Sequence, residues 1–248
     1  GKTFYMVVTD MVSGNGWSSN RAMVLLKSKD LVNWTSNIVN IQKKYPNQED
    51  LKRVWAPQTI YDKEAKKYMV YWSMQHGNGP DIIYYAYANK DFTGFESEPK
   101  QLFSAKYGSI DNDIIEKDGT YHLFYKGNTK DENGKEIKNG IQQATSKSLK
   151  GKWKEDFKYL DAYAGKTPVE GSSIFKLNGK DEYVLMYDMY TSGRYEYQTS
   201  TDLYHFSEPK AFTKDFFPRH GSVISLTRDE LQRLQEKWGY VVRYEFES

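Results

Sequence analysis

Two short acidic motifs stand at the head of apolar stretches. One is Ile110-Asp111 in SIDNDII (109–115), the other Glu170-Gly171 in VEGSSIF (169–175). A carboxylate at the entrance of a core strand costs free energy unless it is paired or put to use. Two acids that meet across a pocket can divide a task. One is kept protonated by burial and by its neighbour's charge, and donates a proton; the other tunes it. That pair is the equipment of glycoside hydrolysis. The inverting version also needs a base on the far side of the sugar, about 6.5–9.5 Å from the acid.

Other residues could serve the same pocket. Trp55 opens WAPQTIY (55–61), where an indole could stack on a sugar face. Trp17 lies in the loop GNGWSSNR (14–21) and His76 in the glycine-rich MQHGNGPD (74–81). Arg219 and His220 are adjacent in PRHGSV (218–223).

The elements that must position these residues recur along the chain. SKDLVNWTS, NKDFTGFES, SKSLKGKWK and STDLYHFSE begin at 28, 89, 146 and 200. Each is a polar turn ending in a bulky residue (Trp34, Phe95, Trp153, Phe206), which the repeat assigns to packing between units. Ahead of them run KTFYMVVTD (2–10), KKYMVYWSM (66–74), GTYHLFYKG (119–127) and DEYVLMYDM (181–189), with Tyr5, Tyr68, Tyr121 and Tyr183 in the same place. WAPQTIY, SIDNDII and VEGSSIF precede three of these four. A unit of several strands repeating at roughly 50–60 residues is the requirement of a β-propeller blade.

In that arrangement the third element is the innermost strand of its blade. Counted back from the reference tyrosines, Pro57, Asp111 and Glu170 fall at equivalent places, so two blades bring a carboxylate to one mouth of the channel. The first unit lacks this element. RHGSVISL (219–226) would supply a fifth inner strand. Thr227 to Glu230 form a capping box that opens a helix to about Trp238. Residues 239–248 again read as a strand that could close the ring, giving five blades. The charged stretch 128–140, with two Asn-Gly turns, reads as a hairpin excursion. The fold expected is therefore all-β, a five-bladed β-propeller with a short C-terminal helix. It forms a single domain over 1–248 with its first blade incomplete.

Bulk properties narrow the function classes. The 248 residues carry a formal net charge of +2, spread without a basic patch, so nucleic acid is not an expected partner. Mean hydropathy is −0.80, and no run approaches the roughly 20 apolar residues of a membrane span. With no cysteine, thiol catalysis and thiolate metal sites are excluded.

SIDNDIIEKDGTYHLFYKG and VEGSSIFKLNGKDEYVLMYD, with WAPQTIYDKEAKKYMVYW before and PRHGSV after, resemble glycoside hydrolase family 43. The resemblance spans at least residues 1–238. It implies a five-bladed propeller of inverting enzymes that remove α-L-arabinofuranosyl or β-xylosyl units from plant polysaccharides or oligosaccharides. By that resemblance Glu170 is the general acid and Asp111 its pKa-tuning partner, with Arg219 a substrate contact. His220 would lie beside a structural calcium ion in the channel. A carbohydrate is then the expected partner, and the periplasm or cell exterior the expected location. The family's general base is an Asp on the first inner strand. It has no counterpart within 1–248 and is expected upstream of this chain. Asp10 is the nearest acid inside it. The alternative is a carbohydrate-binding propeller without turnover.

Overall fold

The protein is described from a computed structural model, which covers residues 2–127, 140–161, 167–213 and 216–239. Consecutive strands form four antiparallel sheets. The first holds β1 (Phe4–Asp10), β2 (Ala22–Ser28) and β3 (Trp34–Asn40), followed by a single helical turn, α1 (Ile41–Lys44). The second holds β4 (Leu51–Asp62), β5 (Lys67–His76), β6 (Asp81–Tyr87) and β7 (Lys100–Phe103). The third holds β8 (Ser109–Lys117), β9 (Thr120–Gly127), β10 (Ile141–Ser146) and β11 (Lys154–Glu155). The fourth holds β12 (Glu170–Lys176), β13 (Tyr183–Met189), β14 (Arg194–Ser200) and β15 (Lys210–Ala211). One longer helix, α2 (Arg228–Trp238), ends the described chain.

The sheets pack face to face against their neighbours, so their second strands are rich in buried apolar residues; β13 is buried from end to end. Between the first two sheets Met23, Leu25 and Val39 meet Val54, Trp72 and Met74. Phe95 stacks on Trp72 there with ring centroids 5.2 Å apart. Between the third and fourth, Phe124 and Ile141 meet Leu185 and Tyr187, and Phe206 sits edge-on to Phe124 at 6.0 Å. Each such side chain contributes about 1.5–3 kcal/mol by leaving water. Phe95, Trp153 and Phe206 of the polar-turn repeat thus pack between sheets, while Trp34 lines the groove along β1.

The turn itself has a local cause. In two of the copies an aspartate caps it: Asp30 Oδ1 accepts from the backbone N–H groups of Val32 and Asn33, and Asp202 Oδ1 from those of Tyr204 and His205.

Four sheets are described where five were expected. Residues 219–226 form no ladder; they pass from the first inner strand described to the far end of the last without strand pairing. Ser222 Oγ donates to Gln58 Oε1 on β4, and Ser225 Oγ to Asn178 Oδ1 at the far end of β12. Segment 239–248, read as a closing strand, lies outside the described residues apart from Gly239, as does the hairpin excursion apart from Gly140. The capping box is as expected: Thr227 Oγ1 accepts from Glu230 N, and Glu230 Oε2 accepts from Thr227 N at 2.9 Å. From there α2 is tied to the first sheet by the Lys2–Glu230 ion pair, 2.8 Å.

Among the described residues the first sheet has one strand fewer than the others, on its channel side. β1 occupies the position that β5, β9 and β13 hold in the other sheets, and among the described residues β4, β8 and β12 have no counterpart beside it. A groove of about 740 Å³ follows β1 from Phe4 to Thr9, bounded by Ala56–Thr59 of β4 and by His220, Gly221, Ser222 and Ile224. Met6, Val8 and Ile38 are exposed on the outer face of this sheet.

Candidate active site

The three inner strands bend at one place. β4, β8 and β12 each carry an irregularity in their pairing: between Trp55 and Gln58, between Ile110 and Asp113, and between Glu170 and Ser173. Ala56, Asp111 and Gly171 sit inside these bulges with φ of 49°, 55° and 65°. That is the left-handed geometry of a glycine-type bulge, which re-aims the side chains around it. Glycine adopts it freely and aspartate tolerates it; alanine pays more.

The bulges correct the equivalence read from sequence. By ladder register Trp55 lies opposite Ser73, Ile110 opposite Lys126, and Glu170 opposite Asp188. Trp55, Ile110 and Glu170 are therefore the equivalent residues, and Asp111 corresponds to Gly171, not to Glu170. Counting from the tyrosines failed because the hairpin between first and second strands differs in length from sheet to sheet.

The offset by one residue is what joins the two acids. Asp111 Oδ2 accepts a hydrogen bond from the N–H of Gly171 at 2.9 Å, and Ser172 Oγ donates to the Asp111 carbonyl at 2.7 Å. Asp111 thus crosses from the third sheet to the strand that carries Glu170. Burial pushes the Glu170 carboxyl above the usual carboxylate range, and the Asp111 charge pushes it further; Lys126 and Arg219 pull it back.

Asp113 points along a different branch. Its Oδ2 accepts from Ile174 N at 2.8 Å and its Oδ1 from the Tyr71 hydroxyl at 3.3 Å, while Tyr71 accepts from Ile114 N at 2.9 Å. One carboxylate ties three sheets together below the mouth.

Three residues beside Glu170 were not singled out from sequence. Lys126 Nζ, on β9, donates to Glu170 Oε2 at 3.4 Å and lies 4.9 Å from the centre of the Tyr190 ring. Asp188, fully buried on β13, faces Arg219, whose Nε is 3.4 Å from Oδ2. Burial pushes Asp188 up to about 6 even against that guanidinium. The Tyr195 hydroxyl donates to the Arg219 carbonyl at 2.8 Å. A signal was present: Lys126 and Asp188 both lie five residues after a reference tyrosine, as do Asp10 and Ser73.

The other expected residues divide between this mouth and elsewhere. Arg219 is at the mouth, half-exposed, with Nη2 4.0 Å from Glu170 Oε1. The His220 ring lies against Gly171 and lines the groove along β1; its Nε2 is buried without a hydrogen-bonding partner among the described residues. Trp55 and Trp17 come together, the Trp55 indole N–H donating to the Trp17 carbonyl at 3.0 Å. Arg53 covers one face of the Trp55 ring at 3.9 Å and is itself held by Asp81. Trp17 is exposed. His76 is not brought to Glu170. Its Nε2 meets Gln48 Oε1 at 2.8 Å, and it lines a separate cavity of about 410 Å³ with Asp50 and Tyr84.

Among the described residues no three His, Asp or Glu side chains gather in a way that could hold a metal ion. Calcium takes six to eight oxygen ligands, and His220 alone does not supply such a set. Asp10 ends β1 exposed, on the same edge of its sheet as Asp188 on the fourth.

Over residues 1–232 the chain matches a family related to glycoside hydrolase family 43, described as "Probable glycosyl hydrolase domain". The chain belongs to this family. Solved structures of similar fold include an exo-β-1,3-galactanase from Phanerochaete chrysosporium, with a TM-score of 0.63 and 19% identity over 85% of this chain and 47% of that one. They also include a GH43_1 enzyme from Xanthomonas citri complexed with xylose (0.62, 16%, 84% and 70%). A third is the catalytic domain of a GH62 α-L-arabinofuranosidase from Coprinopsis cinerea (0.59, 13%, 90% and 70%). Identities this low show the shared fold, an all-β propeller. No curated protein matches the chain in sequence. No described helix is long and apolar enough to cross a membrane.

Proposed function

We propose that this member of the family is an inverting glycoside hydrolase that removes α-L-arabinofuranosyl or β-xylosyl units from plant polysaccharides or oligosaccharides. Glu170 is its general acid and Asp111 the residue that tunes it. The observation that carries the reading is the link from Asp111 Oδ2 to the N–H of Gly171. It holds a negative charge beside a partly buried glutamate at the channel mouth, and that glutamate's carboxyl is shifted toward its protonated form.

In the step proposed, Glu170 gives its proton to the glycosidic oxygen as the bond from that oxygen to the anomeric carbon breaks. Water attacks that carbon from the opposite face and yields a proton to a base. We assign the base to an inner strand seated in the groove along β1, supplied by polypeptide upstream of Gly1. Such a strand would pair with β1 as β12 pairs with β13, and its residue opposite Asp10 would correspond to Glu170. Trp55, Trp17, Arg219 and, in its own cavity, His76 are assigned to binding the sugar chain. The reading needs no calcium ion beside His220, where the described residues supply no set of oxygen ligands. A polysaccharide substrate places the protein in the periplasm or outside the cell.

A second reading has one observation in its favour. Among the described residues the carboxylates next to Glu170 are Asp111, which accepts from Gly171 N, and Asp188, which faces Arg219, so a propeller that binds sugar without turnover fits them equally.

The experiment is turnover of arabino-, xylo- and galacto-oligosaccharides by this chain and by a polypeptide extended upstream of Gly1, with the anomer released read by proton NMR. Inverted product from the extended form alone supports the assignment. Retained configuration refutes it. Binding without turnover in both establishes the second reading.

A further inference from the structure

The two oxygens of Glu170 are in different surroundings. Oε2 accepts a hydrogen bond from Lys126 Nζ at 3.4 Å, whereas Oε1 accepts none among the described residues; Arg219 Nη2 stands 4.0 Å from it, beyond hydrogen-bonding range. Lys126 cannot easily leave. Its side chain is 12% exposed, and its ammonium is held between the Glu170 carboxylate and the Tyr190 ring. Arg219 is freer, at 52% exposure.

Given the reading of Glu170 as the acid, we infer that Lys126 is its positioning residue, holding Oε2 so that Oε1 is the oxygen that carries and delivers the proton. A carboxyl proton avoids an oxygen already accepting from an ammonium, because it would weaken that charge-assisted bond.

The charges around the site agree. Asp111 faces Glu170 from β8, Lys126 from β9 and Asp188 from β13; Arg219 faces it from the segment after β15, where His220 lies against Gly171 and beside Asp188. Three carboxylates meet two permanent cations, so one proton on Glu170 balances the cluster. Were Lys126 absent, the site would favour the proton more strongly and release it less readily. The scaffold itself does not call for lysine here. The equivalent positions in the other sheets hold Asp10, Ser73 and Asp188.

The test uses Lys126→Met, Lys126→Gln and Lys126→Arg. The Glu170 carboxyl is followed by carbon-13 NMR through a pH titration, its resonance identified by its loss in Glu170→Gln. An opposite charge at this range shifts a carboxyl by about 1–3 pH units, so Met and Gln should raise the Glu170 midpoint by roughly one unit and Arg should restore it. On an oligosaccharide, kcat should fall in Met and Gln with KM nearly unchanged, and the alkaline limb of kcat/KM should move up with the NMR midpoint. An unchanged midpoint in both neutral variants overturns the inference, as does a rise in KM alone, which would make Lys126 a substrate contact. The NMR readout does not depend on turnover. A shifted midpoint in a chain that hydrolyses nothing would retire the glycosidase reading yet leave Lys126 as the group that holds Glu170.

Discussion

Asp111 Oδ2 accepts a hydrogen bond from the backbone N–H of Gly171 at 2.9 Å, linking the inner strands of two sheets at the residue next to Glu170. The bond needs both partners in left-handed backbone geometry, Asp111 at φ 55° and Gly171 at 65°. It fixes where one negative charge stands relative to the proposed acid, and that charge adds to the upward push that burial gives the carboxyl.

Glu170→Gln keeps the shape of the side chain and removes its proton. Turnover of a natural oligosaccharide should drop 10²- to 10⁴-fold, about 3–5.5 kcal/mol of barrier. Affinity measured by calorimetry should hold within a few-fold. Turnover at the parent rate would remove Glu170 from the role.

Asp111→Asn retains an oxygen to accept from Gly171 but loses the charge. Burial, the first cause of the raised Glu170 carboxyl, remains, while the second is gone. The Glu170 midpoint therefore moves down, and the alkaline limb of kcat/KM should shift to lower pH. A limb that stays put or moves up would show that Asp111 does not tune Glu170.

Asp113→Ala leaves the Ile174 N–H and the Tyr71 hydroxyl without their acceptor in the interior. Each unsatisfied group costs about 1–3 kcal/mol, so urea unfolding should report a loss on the order of 2–5 kcal/mol. A loss below about 1 kcal/mol would mean that the three-sheet tie is not structural.

Gly171→Ala meets two obstacles. The φ of 65° is strained for alanine, and a Cβ would stand 3.2 Å from the Arg219 carbonyl and 3.4 Å from the His220 ring. We expect a cost of roughly 1–3 kcal/mol, with activity lost as Arg219 is displaced. Wild-type stability and rates would contradict the tight approach of segment 219–221 to β12.

Asp113 and Asp188 are both pushed up to about 6 from 3.8, in each case first by burial. The folded protein then binds more protons than the unfolded chain between these values. The stability they contribute is complete below about pH 4 and is lost as pH rises through about 6. Asp188→Asn should flatten part of that decline in a series of urea melts between pH 4 and 7. A profile identical to the parent would mean that Asp188 titrates as it does in the unfolded chain.

Much of this architecture is legible in the residues. The strand–turn–strand repeat marks the sheets, because a sheet buried on both faces demands continuous apolar second strands such as YVLMYDM. The Ser-x-Asp turns and the Thr227–Glu230 capping box are local hydrogen-bond patterns, complete within a few residues. Ile110-Asp111 and Glu170-Gly171 could be found because a carboxylate at the head of an apolar strand is conspicuous. Among the described residues four sheets stand where the repeat reads five. Residues 219–226 have the composition of a strand, yet a strand exists only where a partner edge lies alongside.

What the tertiary structure alone decided is which side chains touch. Glu170 faces Asp188 and Lys126, and Asp111 pairs with Gly171, because a bulge shifts each inner strand by a residue and hairpin lengths vary between sheets. Linear offsets cannot register either effect. Likewise, Asp111 and Asp113 look interchangeable in SIDNDII, and only the neighbouring sheets give one the channel mouth and the other the core. Residue types determine which elements form and which chemistry is available. Burial and cross-strand register set proton affinities and contacts, and both belong to the assembled sheets.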